Sequence, residues 1–199
     1  ERHDMEQWFY RITDYAQQLL DDMDSVDWPE KVKVMQRHWI GRSEGAEFGL
    51  PVAEADGSAR EDVAPLAVFT TRPDTSFGMT FAVISPEHPR VDEFTTDNER
   101  ATVDAFRASV AGRSEIDRLS TEGSLDKRGV ATGCRVVNPF TGQAIPVFLA
   151  DYVLMTYGTG AIMALPGEEQ RDWDLAFAHD CEIIRTGQPP DDFHGAAYV

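Results

Sequence analysis

Three threonine hydroxyls, a guanidinium and a carboxylate fall within the six residues Thr70-Thr71-Arg72-Pro73-Asp74-Thr75. They follow directly on the apolar run Leu66–Phe69, which places a dense polar rim at a strand end. Threonine hydroxyls both donate and accept, so Thr70, Thr71 and Thr75 can orient a water or contact a sugar hydroxyl. Arg72 can hold a phosphate through two parallel bonds. The competing account is a Pro-Asp turn whose threonines cap backbone groups. Composition leaves both open.

A second cluster runs from Tyr157-Gly158-Thr159-Gly160-Ala161 through Ile162–Gly167 to Glu168-Glu169-Gln170-Arg171-Asp172. Its GxG start resembles part of a dinucleotide fingerprint, but Met163 stands where the third glycine belongs. A glycine-permitted close approach, a short strand and a helix starting near Pro166-Gly167 account for it better. Glu168 and Glu169 are then expected in the first helical turn, where acids complement the dipole. Asp172 is expected about one turn further in, where an anion needs a cationic partner or solvent. A third stretch, Trp39–Gly45, reads as a hinge between helical and β-rich parts.

Other chemistries lack support. Cys134 and Cys181 lie far apart without metal spacing and read as buried small residues, and the five histidines are scattered. No zinc site, disulfide framework or Ser/His/Asp set is indicated. The expectation is a reduced, cytoplasmic protein with no metal and no cofactor.

These clusters need elements to position them. Met5, Trp8, Phe9, Ile12, Tyr15, Ala16, Leu19, Leu20 and Met23 follow helical spacing. A second helix is predicted from Trp28-Pro29-Glu30, Pro suiting a first turn, to Gly41. Beyond Gly45 short β-prone runs appear at Leu66–Thr70, Thr80–Ile84, Arg135–Asn138, Ile145–Leu149 and Gly160–Leu165, bounded by turn signals. Helices are predicted over Asn98–Val110, with Val103, Phe106 and Val110 on one stripe, and over Glu168–His179, with Trp173, Ala176 and Phe177 on one side. The expected class is mixed α/β with a β-barrel-like domain. The expected division is a helical segment at 1–43, a domain at 44–185 and a linker at 186–199.

Composition agrees. The 199 residues are 42% hydrophobic and 27% charged, enough for a sizeable core. No apolar run is long enough to span a membrane, and the charged residues Glu1 to Asp4 lead into no signal-peptide core. A net charge of −17 excludes a broad basic nucleic-acid face but not a focused contact with one RNA end.

Taken together, Trp39–Gly45 (WIGRSEG), Thr70–Pro89 (TTRPDTSFGMTFAVISPEHP), Tyr157–Asp172 (YGTGAIMALPGEEQRD) and Asn138–Val147 (NPFTGQAIPV) resemble leucyl-tRNA synthetases, in order and spacing across nearly the whole chain. Valyl and isoleucyl enzymes share the insert, but Asp74, the run Pro86–Pro89 and Met163 look leucyl. No HIGH-type or KMSKS-type nucleotide site is present, so the match is to the editing insert (connective polypeptide 1) of a class I synthetase, with helices 1–43 from the flanking catalytic core. The ATP-binding site would belong to the rest of such an enzyme.

The resemblance implies hydrolysis of isoleucyl, methionyl or norvalyl esters wrongly placed on tRNA(Leu). It implies that Asp172 pairs with the α-ammonium and that the Thr75 methyl excludes leucine. Thr70 and Thr71 would surround the water and ester. Met163, Leu165 and Tyr157 would line the pocket for the side chain and terminal adenosine, Arg72 would contact the RNA end, and Glu169 would be a substrate contact. The family often has His-Asp where this chain has Glu168-Glu169. The implied partners are the 3′ end of charged tRNA(Leu) and the rest of a synthetase chain; a monomer without membrane contact is expected. Two rivals stand beside this reading: a module that uses the same Asp172 and Arg72 to bind aminoacylated RNA ends without cleaving them, and an interdomain scaffold, for which the threonine-rich segment is only a turn.

Overall fold

A computed structural model gives the fold and describes residues 6–113, 118, 129–156 and 158–186. The chain divides into two compact units, Glu1–Glu44 and Gly45–Val199. The expected linker beyond residue 186 lies outside the described residues.

In the first unit, helix is less extensive than the apolar spacing predicts. A 3-10 turn at Ile12–Tyr15 leads into α1 (Ala16–Asp21) and another 3-10 turn at Asp22–Ser25. Residues 6–11 take no regular structure. That stretch holds three consecutive aromatics followed by Ile12 and Thr13, all weaker helix formers than Ala or Leu. Trp8, Phe9, Tyr10 and Ile12 are exposed, so no packing offsets the cost of nucleation. By contrast α2 (Glu30–Ile40) forms as expected, with Pro29 at its start. Gly41 ends it at φ 62°, donating its N–H to the Arg37 carbonyl at 2.9 Å. A left-handed residue there favours glycine.

The second unit is mixed α/β. Strands β1 (Ala46–Leu50) and β2 (Leu66–Thr70) pair antiparallel. A four-stranded sheet has the order β4-β5-β3-β6, from β3 (Phe81–Ile84), β4 (Gly129–Val137), β5 (Ala144–Ala150) and β6 (Ala161–Ala164). Only β3 and β5 run parallel; the other neighbours are antiparallel. Both sheets are open, with no closed barrel among the described residues.

Both faces of the larger sheet are covered, which is why β3 is apolar at every position. Ala82 and Ile84 join one core with Leu50, Val68, Phe94 and the stripe Val103, Phe106, Val110 of α3 (Arg100–Val110). Phe81 and Val83 join the other with Phe148, Tyr152 and Leu175, Ala176 of α4 (Gln170–Ala178). The predicted α4 face is corrected here: Asp172, Leu175 and Ala176 are buried, whereas Phe177 is 78% exposed. The cysteines are partly buried. No described helix is long and apolar enough to cross a membrane.

The strands β2 and β6 then deliver the two polar clusters. β2 ends at Thr70, and β6 ends one residue before Leu165.

Candidate functional site

From the end of β2 the chain enters a 3-10 turn at Pro73–Gly78, with Pro73 supplying the preset φ of its first position. The Thr70 hydroxyl accepts the Arg72 N–H at 3.0 Å. Thr75, only 4% exposed, donates both its N–H (3.2 Å) and its hydroxyl (2.8 Å) to the Arg72 carbonyl. The turn account therefore holds for the hydroxyls of Thr70 and Thr75. It also gives Thr75 a fixed rotamer, so its methyl occupies one place. Thr71 is exposed, and its hydroxyl has no hydrogen-bond partner among the described residues. Arg72 pairs with Asp74 through Nε at 3.0 Å and Nη2 at 2.8 Å, and the Arg72 hydrogen bond lowers the Asp74 pKa.

The second cluster is pinned against the first. The Thr159 hydroxyl donates to the Ala67 carbonyl of β2 at 2.7 Å. Gly158 has φ 59°, and a Cβ there would sit 3.0 Å from Cβ of Phe69. This is the close approach the glycines predict. Ser76, fully buried, donates its hydroxyl to the Pro73 carbonyl at 2.7 Å and to Sδ of buried Met163 at 3.5 Å. Tyr157 lies outside the described residues.

After Leu165 the chain turns before it becomes helix. Glu168 and Glu169 both donate their N–H groups to the Leu165 carbonyl at 2.9 Å, and Glu169 is extended at φ −124°, ψ 125°. Helix α4 therefore begins at Gln170, two residues later than predicted. Glu168 and Glu169 precede the first turn, and Asp172 is the acid within it. Glu168 accepts the Thr186 N–H at 3.1 Å and hydroxyl at 2.6 Å, while Glu169 pairs with Nε of Arg171 at 2.7 Å.

Asp172 is 2% exposed. Its Oδ1 accepts the Tyr152 hydroxyl at 2.8 Å and its Oδ2 accepts the Leu165 N–H at 2.8 Å. The expected cationic partner or solvent is thus replaced by two neutral donors; no ion pair reaches this carboxylate among the described residues. Arg171 instead lies over the Tyr152 ring, 5.6 Å from its centroid. Burial raises the Asp172 pKa from 3.8 to about 6, against the pull of the Leu165 and Tyr152 hydrogen bonds. No cation bonds this carboxylate directly among the described residues, although the neighbouring Arg171 guanidinium favours its ionised form; each of its oxygens keeps a lone pair beyond the bond it accepts.

The structure thus ties Met163 to Ser76, the neighbour of Thr75, and ties Asp172 to the Leu165 backbone; no hydrogen bond joins Thr75 or Met163 to Asp172 among the described residues. Two grooves, of about 430 and 540 Å³, lie elsewhere. One is lined by Arg60, Phe94 and Cys134 and the other by Thr80, His179 and Cys181; neither includes an expected site residue. Sequence reasoning missed Tyr152 and Ser76. The available signal for Tyr152 was a hydroxyl-bearing aromatic two positions after an apolar run, since a buried tyrosine hydroxyl needs a partner. Among the described residues no cluster of His, Cys, Asp and Glu is arranged to hold a metal ion.

Residues 37–197 match the family model described as leucyl-tRNA synthetase, editing domain. The chain is 47% identical over 212 residues to a leucine–tRNA ligase of Saccharopolyspora erythraea, a match covering 99% of this chain and 21% of that protein. It is also 47% identical over 192 residues to the leucine–tRNA ligase of Thermosynechococcus vestitus, covering 96% and 21%. Among solved structures, the ternary complex of Agrobacterium radiobacter K84 agnB2 LeuRS with tRNA and LeuAMS matches with a TM-score of 0.71 at 37% identity, over 96% of this chain and 22% of that one. The chain spans about a fifth of the length of these relatives.

Proposed function

Because the chain belongs to the family of leucyl-tRNA synthetase editing domains, we propose that it hydrolyses the ester linking a wrong amino acid to the 3′ end of tRNA(Leu). The substrates are isoleucyl, methionyl and norvalyl esters. One observation carries the reading: Asp172 is a buried carboxylate that accepts only the Tyr152 hydroxyl and the Leu165 N–H and is in no ion pair among the described residues.

In this reading the α-ammonium of the aminoacyl group completes the charge of Asp172. Met163 and Leu165, with Tyr157, line the side-chain and adenosine pockets. The Thr75 methyl, fixed by the hydroxyl bond to Arg72, stands where leucine branches and isoleucine does not. Thr70 and Thr71 surround the ester, with the Thr71 hydroxyl open to orient a water. Arg72 meets the RNA end and Glu169 contributes a contact beside Arg171. Water adds to the ester carbonyl carbon, the bond to the ribose oxygen breaks, and that oxygen takes the proton. The ester is already activated, so positioning and charge stabilisation supply the acceleration. The division into a flanking helical segment, an editing domain and a return linker is part of the same proposal.

The test is multiple-turnover hydrolysis of isoleucyl- against leucyl-tRNA(Leu). Preferential release of isoleucine is expected. Binding of both without turnover would favour a module that only holds aminoacylated RNA ends.

A further inference from the structure

Tyr152 is placed with unusual redundancy for a residue in a turn. It follows β5 by two positions, and the carbonyls on either side of it are both held by one side chain. Arg118, 5% exposed, donates Nε to the Asp151 carbonyl at 2.6 Å and Nη2 to the Val153 carbonyl at 2.9 Å. Its third prong, Nη1, reaches Oε1 of Glu87 at 2.8 Å, and the other oxygen of Glu87 accepts the Ser85 hydroxyl at 2.5 Å. The Asp151 side chain pairs with Arg113 at 2.7 Å. A rigid guanidinium fork that brackets one residue fixes that residue's backbone, which an ammonium could not do.

What this bracing holds is a single buried hydroxyl, aimed at Oδ1 of Asp172. We infer that Tyr152, braced by Arg118, is the positioning residue that fixes the Asp172 carboxylate for the substrate's ammonium. The inference rests on the editing reading and extends it by one residue and its brace.

The groups facing Asp172 are few. Tyr152 comes from the segment after β5, the Leu165 N–H from the end of β6, and Glu169 and Arg171 from the start of α4. Burial and the neighbouring carboxylate raise the Tyr152 pKa well above its ordinary value, so its hydroxyl stays protonated and remains a donor. Burial and, more weakly, Glu169 oppose the ionised form of Asp172, while both hydrogen bonds and, more weakly, Arg171 favour it. Removing the Tyr152 hydroxyl therefore takes away one of the two donors that keep the carboxylate charged.

The test compares the 199-residue chain with Tyr152→Phe and Arg118→Lys. Two readouts are needed: isoleucyl-tRNA hydrolysis across pH, and the carboxyl ¹³C titration of Asp172, assigned with Asp172→Asn. In Tyr152→Phe the Asp172 midpoint should rise by about one to two pH units, the size of one lost hydrogen bond to an ionised group. Hydrolysis should fall about tenfold near pH 6.5 and recover towards the unaltered rate near pH 8.5, as the carboxylate is again ionised. Arg118→Lys should shift the limb in the same direction by less. A loss of equal size at every pH, or an unmoved Asp172 titration, would overturn the inference and leave Tyr152 as packing alone. An unaltered chain that does not hydrolyse the ester would sink the editing reading, and the carboxyl titration then decides the Tyr152 coupling by itself.

Discussion

Replacing Asp172 by Asn should stabilise the fold and disable the site at once. Asn is isosteric here and keeps both bonds: its oxygen accepts the Leu165 N–H, and its amide donates to the Tyr152 hydroxyl, which turns to accept. Only the charge is lost. The native carboxylate has its pKa raised from 3.8 to about 6. Between those values the folded chain holds a proton that the unfolded chain has released, so stability falls as pH rises through the window and levels off above it. A rise of about two units corresponds to about 3 kcal/mol, an upper figure for what Asp172→Asn recovers at neutral pH. For a unit of this size that is up to about 10 °C in melting midpoint. Between about pH 4 and 6 the variant should lack the falling contribution that Asp172 makes to the native chain's stability, so the difference between the two should grow across that window and level off above it. Activity should move the other way. A desolvated contact to the substrate ammonium is worth about 2–5 kcal/mol, so hydrolysis of isoleucyl-tRNA should drop by about thirtyfold or more. Thermal melts across pH and single-turnover hydrolysis check the two halves. An Asp172→Asn variant that hydrolyses at the native rate refutes the ammonium contact. One that melts lower at neutral pH refutes the picture of an unpaired buried charge.

Thr75→Ser keeps the hydroxyl bond to the Arg72 carbonyl and removes only the methyl. Leucyl-tRNA should then be hydrolysed while isoleucyl activity persists, with discrimination falling by about 10–200-fold in paired kcat/KM measurements. Gly167→Ala should destabilise the chain by about 1–3 kcal/mol in denaturant melts, because its Cβ would meet the Ile184 backbone carbonyl at 2.2 Å. Deleting residues 1–40 should leave a single cooperative melt, since the two cores that hold the sheet draw every member from Leu50 onward; loss of that transition would make the first unit integral to the second.

What the sequence made legible followed local periodicity. β2, β3, β5 and β6, the stripe of α3 and the Pro-to-Gly span of α2 all carry their pattern within a few residues. β1 was missed because Glu47 and Gly49 interrupt it, and the first half of β4 because Gly129, Thr132 and Gly133 dilute its apolar run. Gly133 sits at a register shift with φ 77°, where a Cβ would come within 2.1 Å of the Thr96 hydroxyl. That constraint is tertiary and leaves no local mark. The start of α4 was misplaced for a related reason: Pro166-Gly167 resembles a helix opening, but the Leu165 carbonyl takes two N–H groups and makes a turn of it. Asp172 could be singled out from its neighbours, whereas Tyr152, twenty positions earlier, could not be paired with it. A hydrogen bond between a turn after one strand and the first turn of a later helix has no signature in either stretch alone.

The charge distribution sets how such a site must be supplied. A chain of net charge −17 repels a polyanion at long range, and the guanidinium beside the threonine rim is already bonded to Asp74. Exchanging Asp74 for a phosphate gains one charge-assisted contact and loses another, so Arg72 can orient an RNA end but contributes little net attraction. Counterion release, the usual source of affinity for nucleic acid, scales with phosphates neutralised and is small here. On the editing reading, the selective contacts are therefore those to the aminoacyl group: a buried anion for its ammonium and a fixed methyl for its side chain. Affinity for the RNA would then have to come from contacts other than these; the chain spans about a fifth of the length of the relatives it matches. On that reading a wrong ester is selected here by shape and charge, and little of the binding strength for the RNA arises from this rim.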